Sequence, residues 1–196
     1  MASFIFATNN KNKVAEIKAI LNNRIDVMSL AEANIDIDIP EPHDTLEANA
    51  REKSITIYNL TQVNCFSEDT GLEVAVLGGA PGVKSARYAG DDCNAQKNIE
   101  KLLSELSNQE NRNAQFKTVI SLIIKGKEFQ FAGTCKGQII NTQRGNDGFG
   151  YDSIFIPEGS NKTFAEMSME EKNMFSHRKK ATIQFIQFLN DHYGKS

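Results

Sequence analysis

The chain predicts an α/β protein built on a mixed sheet, and three observations carry that reading. Its opening alternates strand-like and helix-like periodicity, a long alternating run turns back on itself at Lys125-Gly126-Lys127, and an amphipathic segment closes the chain. Ser3 to Ala7 is a short apolar run without a basic flank that stops at Thr8, which suits a buried first strand better than a secretory leader. A polar, basic loop follows, Thr8-Asn9-Asn10-Lys11-Asn12-Lys13, and then Val14, Ile17, Ile20 and Leu21 give helical spacing. Asp26 to Leu30 is a candidate second strand. Pro40 and Pro42 make Ile39 to Asp44 a loop, and Asp44 or Thr45 caps a helix from Leu46 to Tyr58. Asn64 to Leu77 reads as the end of one strand and the start of another. Asn94 opens a helix that places Ile99, Leu102, Leu103 and Leu106 on one face. Phe116 to Ile124 and Glu128 to Cys135 form the two arms of a hairpin, followed by a glycine-rich loop through Arg144, Gly145, Gly148 and Gly150. Ser168 and Glu171 have the form of a capping box, and Ala181, Phe185, Phe188 and Leu189 mark the closing helix.

At 196 residues the chain suits one domain spanning 1–196, or two closely joined lobes. Its 40% apolar and 24% charged content suit a soluble protein with a sizeable core, and no apolar run has the length to cross a bilayer. A net charge of −3 gives no electrostatic case for coating a nucleic acid or an anionic membrane. Cys65, Cys93 and Cys135 show no paired spacing, which points to a reduced, cytoplasmic setting. Zinc is disfavoured, since His43, His177 and His192 stand apart from any cysteine at ligand spacing.

The candidate chemistry lies in four places. Glu68-Asp69, followed by Thr70-Gly71, pairs two carboxylates that can bind a metal or move a proton, because burying them unpaired is expensive. A solvated turn of Asp, Thr and Gly is the competing reading. With Glu41 and Glu47 they form a pool of acids at element ends, and Mg2+ needs only one or two of them. Lys11 and Lys13 before a helix suit a phosphate, or equally a surface loop; no GxxxxGK[ST] loop occurs. Phe149-Gly150-Tyr151-Asp152 sets an aromatic ring on a flexible loop, which can stack on a nucleobase or anchor the loop. Lys172 and Ser176-His177-Arg178-Lys179-Lys180 form a basic cluster between two helices, either a solvated face or a set of donors to phosphate or base oxygens.

Taken together and in order, these segments resemble the inosine triphosphate pyrophosphatase family from Phe6 to about Ala181. The resemblance rests on Ala7-Thr8-Asn9-Asn10-Lys11 through Lys13, Glu47-Ala48-Asn49-Ala50 with Lys53, Asp69-Thr70-Gly71-Leu72, and Gly78-Gly79-Ala80-Pro81-Gly82 with Ser85-Ala86-Arg87-Tyr88-Ala89-Gly90. It continues in Gly148-Phe149-Gly150-Tyr151-Asp152 and in Glu171-Lys172-Asn173 with Ser176-His177-Arg178. It implies an elongated mixed sheet with flanking helices, two lobes about a central cleft, and a homodimer. The implied activity is Mg2+-dependent hydrolysis of inosine, deoxyinosine and xanthosine triphosphates to the monophosphate and pyrophosphate. By match to the family's motifs, Thr8, Asn9, Asn10, Lys11, Asn12 and Lys13 meet the triphosphate. Asp69 is metal ligand and general base, Glu41 a second ligand, Thr70 lies beside the substrate and Lys53 near its phosphates. Phe149, Gly150, Tyr151, Asp152, Lys172, His177 and Arg178 match the base and sugar pocket. The chain departs from the family at Glu68, where aspartate is common, at Asn9, where glycine or another small or polar residue is frequent, and at Ser153, where proline is common. A Maf-like pyrophosphatase and a nucleotide-binding module without turnover are the alternatives.

Overall fold

The structure, a computed structural model, describes residues 3–22 and 25–193. Seven strands and five α-helices follow in the order β1 (Ser3–Phe6), α1 (Lys11–Leu21), β2 (Asp26–Ser29), α2 (Leu46–Thr61), β3 (Cys65–Val74), β4 (Pro81–Gly82), α3 (Ala95–Glu105), β5 (Asn113–Ile124), β6 (Lys127–Ile139), β7 (Phe155–Pro157), α4 (Met169–Phe175) and α5 (His177–Tyr193). The strands form a sheet of order β2-β1-β3-β5-β6-β7, with β4 paired to β3. Parallel pairing of β1 with β2 and β3, and antiparallel pairing of β3 with β4 and of β6 with β7, make the sheet mixed, as expected. The β5–β6 hairpin turns at Lys125 and Gly126, both at positive φ (51° and 74°), as a type I′ turn requires.

The chain divides into two compact units. The first comprises the described residues within Met1–Asp69, Thr118–Gly133 and Arg178–Ser196. Its core has two parts. Phe4, Phe6 and Phe66 pack with Ile17 and Leu21 of α1 and Phe185 of α5, while Ile5, Cys65 and Ile123 pack with Ile57 of α2. The second unit, Thr70–Lys117 and Thr134–His177, has its own core, in which Leu72, Val74 and Phe116 meet Ile99 and Leu102 of α3 and Phe155 and Phe164.

Several elements differ from the sequence expectation. Helix α1 begins at Lys11 and not at Val14, because the Asn10 side chain accepts from the backbone N–H groups of Asn12 and Lys13 and caps the helix there. Helix α2 runs to Thr61, with Thr45 as its cap. The acidic motif lies within one continuous ten-residue strand, not at a break between two. The chain passes through Gly71 because β4 crosses there: a Cβ on Gly71 would stand 2.5 Å from the Gly82 carbonyl oxygen. Strand β5 begins at Asn113 and β6 ends at Ile139, both longer than the alternating runs suggest. The Ser168–Glu171 capping box is present, and the basic cluster that follows occupies the first turn of α5 instead of a linker.

Candidate active site

Strand β3 presents successive side chains to opposite faces. In its first half the odd-numbered residues meet α2: Cys65 Sγ donates to the Ser54 carbonyl at 3.2 Å, Ser67 Oγ donates to the Ala50 carbonyl, and Asp69 Oδ1 accepts from Lys53 Nζ at 3.1 Å. Of its even-numbered residues, Phe66 and Glu68 meet α1 and α5. Phe66 stacks on Phe6 at 4.5 Å and lies 5.2 Å from Phe185, and Glu68 accepts from Nε and Nη2 of Arg178 at 2.7 and 2.9 Å. The paired carboxylates therefore belong to two different environments.

On the α2 face, Lys53 also donates to Glu41 Oε1 at 2.6 Å, so one ammonium bridges Glu41 and Asp69. Burial disfavours the Lys53 charge, but Asp69 and Glu41 outweigh it and hold its pKa above the ordinary value. Burial pushes Asp69 up against the pull of Lys53 and Lys13, and the nearby Glu41 adds to the rise. Asp69 Oδ2 is buried and has no hydrogen-bond partner among the described residues. A buried acceptor left in this way is costly, and it is positioned to take a cation or the proton of a water.

On the other face, Glu68 is fully buried and held far below the usual carboxylate range. Burial opposes the charge, but Arg178 and Lys13 overcome it. Lys13 Nζ lies 3.2 Å from Glu68 Oε1, and Arg178 Nη1 is bonded to the buried Glu16 of α1. Sequence reasoning missed Glu16. The available signal was its spacing, three residues after Lys13 and beside Ile17, which sets it on the buried side of α1. Of the remaining residues expected on the triphosphate, Thr8 Oγ1 accepts from the Asn10 backbone, Asn9 Nδ2 donates to the Ile37 carbonyl at 2.9 Å, and Lys11 and Asn12 are exposed on the first turn of α1.

The second unit holds the other predicted group. Lys172 Nζ donates to Asp152 Oδ2 at 2.6 Å, both residues being buried, and the same oxygen accepts the Phe149 backbone N–H at 2.9 Å. The Lys172 ammonium stands 5.1 Å from the Phe149 ring centroid. Gly148, at φ 77°, has no room for a side chain, since a Cβ would meet Asp152 Oδ2 at 2.2 Å. Asp152 thus ties the 148–150 loop to α4, and the half-buried Phe149 ring is carried on that loop. Tyr151 donates to the Ser85 carbonyl at 2.9 Å, which makes it an anchor of the Ser85-Ala86-Arg87 turn. His177 is buried and stacks on Phe116 at 4.8 Å and 13°. Thr70, next after Asp69 on β3, is partly buried, and Gly150 is at positive φ in the same loop as Phe149.

A model of the Ham1 family matches residues 4–188. A dITP/XTP pyrophosphatase of Flavobacterium johnsoniae is 51% identical over 185 residues, covering 94% of this chain and 96% of that protein. Among solved structures, the Staphylococcus aureus Ham1 protein is similar with a TM-score of 0.87 at 38% identity, over 96% of this chain and 98% of its own. A HAM1 protein from Coxiella burnetii gives 0.88 at 33% identity, over 97% and 100%.

Proposed function

The chain belongs to the Ham1 family, and from that premise we propose that it hydrolyses deoxyinosine, inosine and xanthosine triphosphates to the monophosphate and pyrophosphate. The name of its 51% identical relative, dITP/XTP pyrophosphatase, supports that substrate class. The observation that carries the mechanism is Asp69, a buried carboxylate pushed up by burial, with one oxygen on Lys53 and the other without a partner among the described residues.

The residues fit a hard divalent cation. Glu41 and Asp69 converge on a single positive charge, and Asp69 Oδ2 is a buried acceptor that a cation would satisfy. Among the described residues no group of three or more His, Cys, Asp or Glu is gathered as a metal cage, which accords with an ion that completes its shell from water and substrate phosphate. Held by Asp69 and Glu41, Mg2+ would neutralise charge on the phosphates.

Asp69 accepts the proton of a water that attacks the α-phosphorus. The new P–O bond forms as the anhydride bond to the β-phosphate breaks, and the electron pair leaves with pyrophosphate. Lys53, Lys11 and Lys13 balance the charge of that leaving group, helped by the amides at the start of α1 near Thr8, Asn9, Asn10 and Asn12. Glu68, paired with Arg178, keeps Lys13 in place.

In the second unit, Phe149 offers a face for the purine, and Lys172 is the proposed donor to its 6-oxo group. Thr70, Gly150, Tyr151, Asp152 and His177 line or support the sugar and base contacts. Arg178, fixed in plane by Glu68 and Glu16, is a second proposed donor. Adenine carries an amino donor where a 6-oxo purine carries an acceptor. A buried donor left facing it costs about 1–3 kcal/mol, which disfavours ATP. Cys65, Cys93 and Cys135 form no disulfide among the described residues, in keeping with the proposed cytoplasmic setting, and no helix among those residues is long and apolar enough to cross a membrane. A homodimer is the proposed assembly.

A panel of nucleoside triphosphates, assayed with Mg2+ and separate readouts for pyrophosphate and orthophosphate, tests this reading. Inosine, deoxyinosine and xanthosine triphosphates should yield pyrophosphate faster than ATP does. Asp69→Asn should lower turnover by about 10²–10⁴-fold, the range of a lost general base. Orthophosphate as product, or parental turnover by Asp69→Asn, would overturn the mechanism. Tight binding without any product would instead favour a nucleotide-binding module.

A further inference from the structure

Lys53 is a buried cation whose ammonium is held by two acids. Its Nζ lies 2.6 Å from Glu41 Oε1 and 3.1 Å from Asp69 Oδ1, and the three side chains are 8%, 21% and 6% exposed. We propose that Lys53 is a placeholder for the divalent ion: its ammonium fills the point between Glu41 and Asp69 that the metal takes, and it must leave when the metal binds. The inference rests on the reading that Glu41 and Asp69 hold the metal, and it adds a role for Lys53 that the reading does not require.

The argument is one of charge and reach. Two carboxylates brought together in a poorly solvated site repel one another unless a cation lies between them. A divalent ion taking Asp69 Oδ2 and reaching Glu41 would put a second cation on the same pair of carboxylates that Lys53 holds, and in a poorly solvated site the repulsion between the two is little screened. Binding is therefore an exchange, in which the carboxylates keep a cation throughout and Lys53 loses both of its partners.

The backbone is placed to allow that exchange. Ser67 is hydrogen-bonded to the Ala50 carbonyl and Cys65 to the Ser54 carbonyl. These two bonds pin α2 to β3 on either side of Lys53, and its four-carbon stem alone has to swing. The displaced ammonium needs a new anion, and the substrate's polyphosphate supplies one. Metal and polyphosphate thus favour each other's binding through Lys53, and by linkage the coupling is reciprocal. Asp69 meanwhile keeps its position in the absence of metal.

The test uses Mn2+ alone, without nucleotide, titrated into the full chain and read by calorimetry or by the loss of free-ion paramagnetic signal. Lys53→Met, which removes the competitor, should bind Mn2+ about tenfold more tightly than the parent, or ~1.4 kcal/mol. Asp69→Asn should lose the site. Equal or weaker Mn2+ affinity in Lys53→Met, with Asp69→Asn losing it, overturns the placeholder and leaves the metal site standing. Mn2+ affinity unchanged by Asp69→Asn overturns the metal site itself, and the placeholder with it. Lys53→Met leaves two carboxylates face to face and is at risk of misfolding, so a second measurement uses the unaltered chain. The rate at which Lys53 is acetylated by a small acylating reagent, followed by mass spectrometry, should rise several-fold at saturating Mn2+; an unchanged rate overturns the proposal.

Discussion

Because a strand turns successive side chains to opposite faces, Glu68 and Asp69 meet different helices and their acidities move apart. Glu68 is driven down by Arg178 and Lys13 in spite of its burial, whereas burial drives Asp69 up. Such a split is what the proposed mechanism uses, with Glu68 as a structural anion and Asp69 as the proton acceptor. Replacing Glu68 by glutamine keeps the shape but leaves Arg178, itself fully buried, with Glu16 as its remaining anionic partner among the bonds described above. Removing one member of a buried ion pair costs about 3–5 kcal/mol, so the urea midpoint of Glu68→Gln should fall by that equivalent, and the KM for nucleotide should rise as Lys13 loses its anchor. A midpoint equal to the parent's would mean that the network contributes nothing. Asp69 stood out in the sequence through the Asp-Thr-Gly run and its companions. The task of Glu68 did not, since the arginine that defines it lies 110 residues away and no local pattern announces that pairing.

At the scale of elements, the misread boundaries share a cause. Polar residues carry no apolar period, so the first turn of α1 looks like loop, and only the Asn10 cap reveals that Lys11 and Lys13 stand on a helix. The consequence is functional, because a helix start fixes the direction of its amides and a loop does not. Asn10→Ala should destabilise the protein by about 1 kcal/mol, the usual worth of such a cap. It should also weaken triphosphate binding, measured as a higher KM with kcat little changed. An unaltered KM would detach the α1 start from the phosphates. Strands β4 and β7 have two and three residues, too few to show a period of two. Their neighbours explain them only after folding, as β4 does at Gly71. By contrast α3, the β5–β6 hairpin and the Ser168–Glu171 capping box were legible, because each combines a period or a cap with a residue whose chemistry needs that position.

The whole molecule distributes its cysteines so that each core can be watched separately. Cys65 is buried in the first unit, where burial pushes its thiol up to about 12, and Cys135 is buried in the second, while Cys93 is exposed. The thiolate is the reactive form, so a disulfide reagent at mild alkaline pH should titrate Cys93 alone in the native chain. The α/β class was readable from periodicity, and two lobes were an expectation from length and resemblance, but where one core ends and the other begins was not legible. Strands β3, β5 and β6 each belong partly to one unit and partly to the other, and nothing along such a strand marks where one core gives way to the next. That continuity has a thermodynamic consequence. A strand cannot give up its partners along half of its length without weakening the register of the rest, so the two units should lose their structure in one cooperative step. Cys65 and Cys135 should therefore become reactive at the same urea concentration, each identified by mass spectrometry after brief labelling. Two separate transitions, one thiol opening well before the other, would show that the shared strands do not couple the cores.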